Sequence, residues 1–426
     1  MLFAVERRLF DVATLAQRAA EVTTTGRRAL GPDFYLTLPY PVLDRAFGPP
    51  TTIHLLLVAV GACEALVLFA LYRVLRERAS TPVERGAIAV AAAALVLIAL
   101  GAKTLDGFDL YAYLGYAKLP SVQAAYVPPA VRLPGAFGVA NDAWGTPLLV
   151  SPYGPLWIAL VRLVAGGAST VGSALFAFRL LELVPFGAIV ALLALRREGV
   201  FVALFALNPA IYQLYLANAH SDLLGIAVLL CAFTLARRAP LAAALLVALA
   251  GLLKLPLAAF ALLVFAGRDK TAVRAGWVGL ALALIVAGSL LLAGPAYVHN
   301  LIFRLHEVHQ QSGLNELTGR VIKTALLLVA LAALGVAFFR ATLWRAASWS
   351  FVALSFMVYP WYLAWSLPYA YLQRAALAAF LILCPLAAAM LDIGFPSIGL
   401  GQLAMLAMLI AAGYEIVRRS AYPIEV

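Results

Sequence analysis

Long apolar runs separated by short polar segments occupy most of this sequence. The runs are about 15–22 residues long, which is the length that a helix needs to cross the hydrocarbon core of a bilayer. They do not alternate apolar and polar positions as the strands of a membrane barrel do, and open sheets cannot satisfy their backbone groups in lipid. The pattern therefore predicts an all-α polytopic membrane protein with about twelve transmembrane helices.

One polar interruption differs from the others. The apolar run 201–216 contains Asn208-Pro209 and ends in Asn218-Ala-His-Ser-Asp222, after which a second apolar run begins. Polar and ionisable groups at membrane depth are costly, and they usually face a protein interior or a water-filled cavity. A functional role competes here with a structural one, in which Ser221 or Asp222 is the N-cap of the next helix.

The composition supports a membrane protein and narrows its chemistry. Hydrophobic residues make up 64% of the chain and charged residues 12%, against about 45–50% and 25% in soluble domains. The net charge of +11 does not indicate nucleic-acid binding, because most arginines lie in short clusters between apolar runs, as in cytoplasmic loops. The three cysteines fall inside apolar runs and have neither disulfide-framework nor zinc-site spacing.

The pattern divides the chain into one membrane domain and two flanking segments. Residues 1–52 form an amphipathic or irregular N-terminal segment, residues 53–417 a single transmembrane domain, and residues 418–426 a tail. The arginine clusters place two long polar segments, 105–151 and 295–319, outside the cytoplasm. This topology also places the arginines of both flanking segments outside the cytoplasm, where arginines are disfavoured. Either one helix is miscounted or the chain lacks a preceding span.

Two apolar stretches have unusual lengths. Residues 152–166 are expected to enter only the outer leaflet, because a full crossing would place Arg196 and Arg197 outside. The run 240–266 is too long for one span and too short for two, and a proline beside Lys254 interrupts its hydrogen bonding. We expect two short helices that meet at Lys254 near the outer face.

The first outer segment begins with carboxylates. Asp106 and Asp109 directly follow a span, and Tyr113 lies on the same helical face as Asp109 because the two are four residues apart. An exposed loop aspartate is normally only solvated. A carboxylate held at the lipid–water boundary, by contrast, can accept a proton from an attacking hydroxyl.

Aromatic and basic side chains provide further candidates. Tyr153 and Trp157 belong to a Ser-Pro-Tyr-Gly-Pro-Leu-Trp motif that starts an apolar helix. They form either an interfacial aromatic belt or a platform that stacks on sugar faces. Lys254 either extends its amino group to the interface or meets a lipid phosphate.

A second basic group lies in the later outer segment. His306 and His309 share a face if that segment is helical, and Glu307 lies between them. This arrangement is compatible with a metal site, but the sequence has no third ligand at a convincing spacing. Together with Arg304, the two histidines fit phosphate binding better.

In chain order, these motifs resemble a known family. An aspartate after an early span is followed by Ser-Pro-Tyr-Gly-Pro-Leu-Trp, Asn-Pro with His-x-Asp, Leu-Leu-Lys-Leu-Pro and Pro-Trp-Tyr-Leu-Ala-Trp. Over residues 86–370 this order resembles the polyprenol-phosphate-mannose-dependent mannosyltransferases of the GT-C fold. It is most similar to the MptB-like α-1,6-mannosyltransferases, which are related to glycosyltransferase family 87. The resemblance implies a GT-C fold with a long catalytic first outer loop.

The resemblance also implies a reaction. It predicts an inverting transfer of mannose from polyprenyl phosphate to an acceptor hydroxyl, on the extracytoplasmic face of the bacterial cytoplasmic membrane. Asp109 matches the family's Asp-x-Tyr-x-Tyr segment and is implied to be the catalytic base. The family's His-Asn-Asp stretch corresponds to His220-Ser221-Asp222, with Ser221 in place of Asn. The family's Lys-x-Pro kink corresponds to Lys254-Leu-Pro, and its late Trp-Tyr pair to Trp361 and Tyr362.

The predicted site and its partners follow from these motifs. The residues expected to bind the donor are Asn218, His220, Asp222, Lys254, Arg304, His306 and His309. The aromatic platform for the acceptor is expected to consist of Tyr113, Tyr153, Trp157, Trp361 and Tyr362. Asp106 is expected to be a secondary carboxylate. The expected partners are the polyprenyl-phosphate-mannose donor, a glycan or glycolipid acceptor and membrane lipids, with no nucleic acid. We expect no required cofactor and predict no metal site. Whether a divalent cation takes part stays open.

Two alternatives remain. A GT-C transferase could use another polyprenyl-phosphate sugar, such as glucose or arabinose. A lipid or solute transporter would share the broken helix at Lys254 and the polar groups at depth. It would also show symmetry between the two halves of the chain, which the sequence does not display, and its polar groups would lie near mid-membrane.

Overall fold

The computed structural model describes residues 50–76, 81–101, 108–127, 133, 135–138, 140, 150–196, 199–265, 271–307, 363–365, 367–371 and 374–393. Every regular element in these ranges is helical, which confirms the predicted class. The helices are α1 (Pro50–Leu75), α2 (Pro82–Leu100), α3 (Phe108–Ala117), α4 (Pro155–Ala165), α5 (Val171–Leu195), α6 (Gly199–Ala206), α7 (Pro209–Ala217), α8 (Asp222–Leu235), α9 (Pro240–Leu253), α10 (Leu255–Val264), α11 (Thr271–Glu307), α12 (Leu367–Tyr371) and α13 (Arg374–Ile393). Short 3₁₀ turns occupy Gln123–Tyr126 and Gly135–Gly138.

Several of these helices are long and apolar enough to cross a membrane. In the described ranges they are four, and their candidate spans are Val58–Leu75, Pro82–Leu100, Val171–Leu195 and Thr271–Leu301. The bent pair α6–α7 makes a fifth if it crosses as one unit. The chain is therefore a membrane protein. The total of about twelve spans and the GT-C arrangement stay predictions.

The break between α9 and α10 lies where the sequence predicts it. Helix α9 ends at Leu253, and Lys254 is extended, with φ −153° and ψ 111°. Helix α10 then begins as a 3₁₀ turn. A proline directly after Lys254-Leu255 cannot donate a backbone hydrogen bond, which explains why the helix does not simply continue.

Helix α11 runs further than the sequence pattern indicates. It has a kink at Gly294, whose φ of +63° is accessible to glycine without strain, and Pro295 follows. Beyond the kink the chain stays helical to Glu307. The polar segment 295–319 therefore starts as a helix.

The bend between α6 and α7 is stabilised by Asn208. The two helices meet at 54°. The Asn208 side chain accepts a hydrogen bond from the backbone N–H of Ala210 (3.2 Å) and donates one to the carbonyl of Leu381 in α13 (2.7 Å). Asn208 thus replaces backbone bonds that the Asn-Pro break removes, and its role is structural.

Packing brings the ends of several helices together. Helix α8 packs against α5, α9 and α12, while α4 packs against α3, α5, α9 and α11. Close approach relies on small residues, as is usual in membrane bundles: a Cβ at Gly225 of α8 would lie 2.2 Å from Cδ1 of Leu257. The start of α8, the end of α9 and the first turns of α3 and α4 consequently share one region.

Candidate active site

The turn between α7 and α8 has unusual backbone geometry. The last turn of α7, Tyr212–Ala217, is π-helical. Ala219 has φ +48°, a left-handed conformation that residues with a side chain rarely adopt. Asn218, Ala219 and His220 are all buried. Such π-turns and strained residues are frequent at functional sites.

The polar stretch does not act as a simple helix cap. Ser221 occupies the N-cap position of α8, but its side chain makes no capping hydrogen bond. Its hydroxyl instead accepts a hydrogen bond from the Tyr113 hydroxyl (3.2 Å), and its backbone N–H donates to the same Tyr113 oxygen (3.4 Å). The Asp222 carboxylate is bonded to side chains of other elements. The turn therefore connects α8 to α3 rather than closing itself.

Asp109 and His220 form the first part of the site. Asp109 lies in the first turn of α3 and is only 8% exposed. Oδ2 of Asp109 is 3.3 Å from Nδ1 of His220, and the Tyr153 hydroxyl donates a hydrogen bond to the same carboxylate. Burial opposes ionisation of Asp109, but the hydrogen bond and charge of His220, the charge of Lys254 and the Tyr153 hydroxyl outweigh it. The pKa of Asp109 therefore lies below its usual value.

Asp222, Lys254 and Trp365 form the second part. Lys254 Nζ lies 2.7 Å from Asp222 Oδ1. The Trp365 indole N–H donates to the same oxygen at 2.6 Å, and its ring centroid is 5.3 Å from the Lys254 ammonium. The segment that carries Trp365 is held by a hydrogen bond from the Ala364 N–H to the Tyr215 hydroxyl (2.9 Å). Trp365 is the last residue of the Pro-Trp-Tyr-Leu-Ala-Trp motif, and it is not among the site residues predicted from the sequence.

The predicted aromatic platform is buried in the structure. Tyr113 makes edge-to-face contacts with Tyr153 and Trp157, each at 4.9 Å between ring centroids. Trp157 is fully buried and Tyr153 almost so. These contacts fix α3 against α4 and hold Tyr153 beside Asp109. A stacking role towards a sugar stays a prediction.

The Ser-Pro-Tyr-Gly-Pro turn is locked against the end of α9. The Gly154 N–H donates to the carbonyl of Leu253 at 3.0 Å. A Cβ at Gly154 would lie 2.1 Å from the carbonyl oxygen of Leu252, closer than any real contact. Only glycine fits there, and the contact fixes the backbone that directly precedes Lys254.

The same turn is tied to two other elements. The Asn300 side chain in α11 donates to the carbonyl of Ser151 (2.9 Å), and the Tyr126 hydroxyl donates to the carbonyl of Tyr153 (2.8 Å). The Ser151 hydroxyl accepts a hydrogen bond from the Tyr153 N–H (3.2 Å). Tyr153 is thereby held in place next to Asp109.

Replacing Gly154 by alanine is expected to disrupt both halves of the site. The new Cβ must displace either the turn or the end of α9, and overpacking of this kind costs about 1–3 kcal/mol. We expect a lower melting temperature in detergent and a loss of activity, measured on the same purified samples. Gly187→Ala is the matched control, because a Cβ at Gly187 in α5 meets nothing within 4 Å. Equal stability of the two variants would contradict the lock.

Replacing His220 by leucine is expected to raise the pKa of Asp109. The variant removes a hydrogen bond and a charge that lower this pKa, and the burial that raises it remains. A carboxylate base works only when it is ionised, so the acid limb of the kcat/KM pH profile should move to higher pH. His299→Leu, at an exposed position of α11, should leave the profile unchanged. A reduced rate with an unmoved acid limb would show that His220 does not act through Asp109.

Some predicted site residues lie outside the described residues. They are Asp106, His309, Trp361 and Tyr362, together with the side chains of Arg304 and His306. Among the residues that are described, no three His, Cys, Asp or Glu side chains lie together as metal ligands. Whether the reaction needs a divalent cation stays open, because this observation covers only the described residues.

Comparison with known families identifies the family of the chain. A family model described as alpha-(1->6)-mannopyranosyltransferase, N-terminal domain, matches residues 37–268, which is more than half of the chain. The chain belongs to this family. Neither the curated proteins nor the solved structures give a match. The matched segment contains Asp109, His220, Asp222 and Lys254, whereas Trp365 lies beyond it.

Family membership confirms the resemblance in the sequence motifs. It indicates an alpha-mannosyltransferase, and therefore a glycosyltransferase with a sugar donor and a glycan acceptor. The described helices place this mannosyltransferase in a membrane.

Proposed function

We propose that this mannosyltransferase moves mannose from polyprenyl phosphate mannose to an acceptor hydroxyl, with inversion, on the extracytoplasmic face of the membrane. The observation that carries the proposal is the buried Asp109 carboxylate. It is held by His220 and Tyr153, and Lys254 contributes a positive charge to the same site. Helix α3, which carries Asp109, is not one of the candidate spans.

The reaction is a single displacement. The acceptor oxygen attacks the anomeric carbon of the mannosyl group, and the bond from that carbon to the phosphate oxygen breaks with its electron pair on the phosphate. The acceptor proton passes to Asp109, which acts as the general base. Because its pKa is low, Asp109 is ionised and ready to accept this proton at neutral pH. One displacement at one carbon inverts its configuration.

The leaving phosphate needs hydrogen-bond donors and positive charge more than a proton. An ammonium group has three donors, and one donor of Lys254 is directed at Asp222. The positive charge of Lys254, which also acts on Asp109, makes this side chain a candidate for stabilising the phosphate. The predicted phosphate-binding role of Arg304, His306 and His309 belongs to the same proposal.

The helix geometry and the arginine distribution support a lipid-linked donor at the outer face. The site lies at interruptions of two apolar runs, α7–α8 and α9–α10, in the apolar part of the chain. Helix α8 begins at Asp222 and ends just before Arg237 and Arg238. Basic clusters favour the cytoplasm, so the Asp222 end of α8 is assigned to the opposite face.

A donor-choice assay tests the proposal. Purified protein in liposomes receives an α-mannoside acceptor with either radiolabelled polyprenyl phosphate mannose or radiolabelled GDP-mannose. We expect label in the acceptor only with the lipid donor, together with release of polyprenyl phosphate. Transfer from the nucleotide donor alone would overturn the proposed donor while leaving the family activity in place.

A further inference from the structure

The two oxygens of the Asp222 carboxylate are in different situations. Oδ1 accepts hydrogen bonds from both Lys254 and Trp365. Oδ2 is buried and has no hydrogen-bond partner among the residues that the structure describes. Buried polar atoms without a partner are rare, because each forfeits the hydrogen bonds it had in water. Oδ2 is therefore an acceptor that suits a hydrogen-bond donor on a ligand.

The surroundings of Asp222 add further acceptors. Glu182 in α5 is fully buried and interacts electrostatically with Asp222. In the described part of the structure, neither Glu182 carboxyl oxygen has a hydrogen-bond partner. The phosphodiester of a lipid-linked donor has no hydrogen to donate to Oδ2 of Asp222. A hydroxyl group can donate to a carboxylate, so the ligand chemistry that fits is a sugar hydroxyl.

Trp365 determines which oxygen of Asp222 is left for a ligand. Its indole N–H is a donor only, and it reaches Oδ1 while its ring lies against the ammonium of Lys254. The bond between Ala364 and Tyr215 holds this segment on the end of α7. The segment follows the matched family region by almost a hundred residues, so the N-terminal domain alone does not complete the site.

We propose that Asp222 is the sugar-selecting residue of the transferase site and that Trp365 is its positioning residue. Oδ2 of Asp222 accepts a hydrogen bond from one hydroxyl of a mannosyl unit, which belongs to either the donor or the acceptor. Lys254 and Trp365 hold Oδ1 and thereby orient Oδ2. This inference rests on the proposed function.

Monodeoxy sugars identify the hydroxyl and its source. The parent protein is assayed with polyprenyl phosphate mannose and an α-mannoside. The donor is replaced in turn by its 2-, 3-, 4- and 6-deoxy analogues, and the acceptor by those deoxy analogues that keep the attacking hydroxyl. One analogue should reduce kcat/KM by about 10- to 100-fold, the value of a hydrogen bond to a charged group. A sensitive donor analogue places the hydroxyl on the donor, and a sensitive acceptor analogue places it on the acceptor.

Two variants then test the residues. Asp222→Asn keeps an oxygen for Lys254 and Trp365 and puts an NH₂ group in place of Oδ2, so the penalty for that one analogue should vanish. Trp365→Phe keeps a ring beside Lys254 but loses the N–H. It should reduce the same penalty several-fold while the acid limb of the pH profile stays in place. Trp277→Phe, on a tryptophan that stacks against Phe265, should keep the parent pattern.

The outcomes separate this inference from the proposed function. If the parent consumes the lipid donor but Asp222→Asn keeps every deoxy penalty, the inference is wrong and the proposed function stands. If Asp222→Asn does not fold, an unchanged penalty in Trp365→Phe overturns the positioning role. If the parent does not consume the lipid donor, the proposed function fails and this inference fails with it.

Discussion

Asp109→Asn is expected to reduce kcat for mannosyl transfer by roughly 10²–10⁴-fold, the usual contribution of a general base. Asparagine has the size of aspartate and can still meet His220 and Tyr153, but it cannot take the proton of the acceptor hydroxyl. The KM for the donor should change little, because the Asp222–Lys254 pair is untouched. Initial rates at saturating donor and acceptor measure this, with the melting temperature in detergent as the check on folding.

Glu84→Gln is the matched control for this carboxylate. Glu84 belongs to the capping box of α2, where its side chain accepts a hydrogen bond from the Thr81 N–H (2.9 Å). Glutamine serves equally in a capping box, so the same acid-to-amide change should leave kcat and stability unchanged. A rate for Asp109→Asn within a few-fold of the parent would assign the base to another group.

Lys254→Met is expected to give the largest loss of stability among the variants considered. Methionine fills a similar volume but leaves the Asp222 carboxylate buried without its cationic partner. Removing one member of a buried ion pair costs about 3–5 kcal/mol. The cost should appear as a marked fall in melting temperature and in the yield of monodisperse protein.

The double variant Lys254→Met with Asp222→Asn separates charge from packing. It carries no uncompensated charge, so it should recover much of the stability that Lys254→Met loses, and the stability effects of the two substitutions should not add. It should stay inactive, because the proposed phosphate and sugar groups are both gone. Additive stability losses would show that the two side chains act independently.

The sequence predicts the helical class, because the class depends on local pattern. The proline beside Lys254 and the length of its apolar run indicate the break between α9 and α10, which the structure confirms. Arginine placement groups Asp109, His220 and Asp222 on one face, and the structure brings them together with Lys254. Their catalytic and binding roles stay predictions.

Contacts between distant segments could not be predicted from the sequence. Trp365 lies 143 residues from Asp222, and no periodicity reveals which donor meets which oxygen. The close fit of Gly154 against Leu252 depends on how α4 and α9 approach each other. The expected donor-binding role of His220 stays a prediction, and its contact with Asp109 was not predicted from the sequence. Its present partner suggests control of the base, which the pH profile tests.

The anomeric configuration of the product tests the central claim most directly. Purified protein receives a β-configured ¹³C-labelled polyprenyl phosphate mannose and an α-mannoside acceptor, and NMR of the isolated product reports the configuration of the new linkage. Direct displacement with Asp109 as the base predicts an α linkage throughout. A β linkage would require a second displacement through an enzyme nucleophile and would contradict the account.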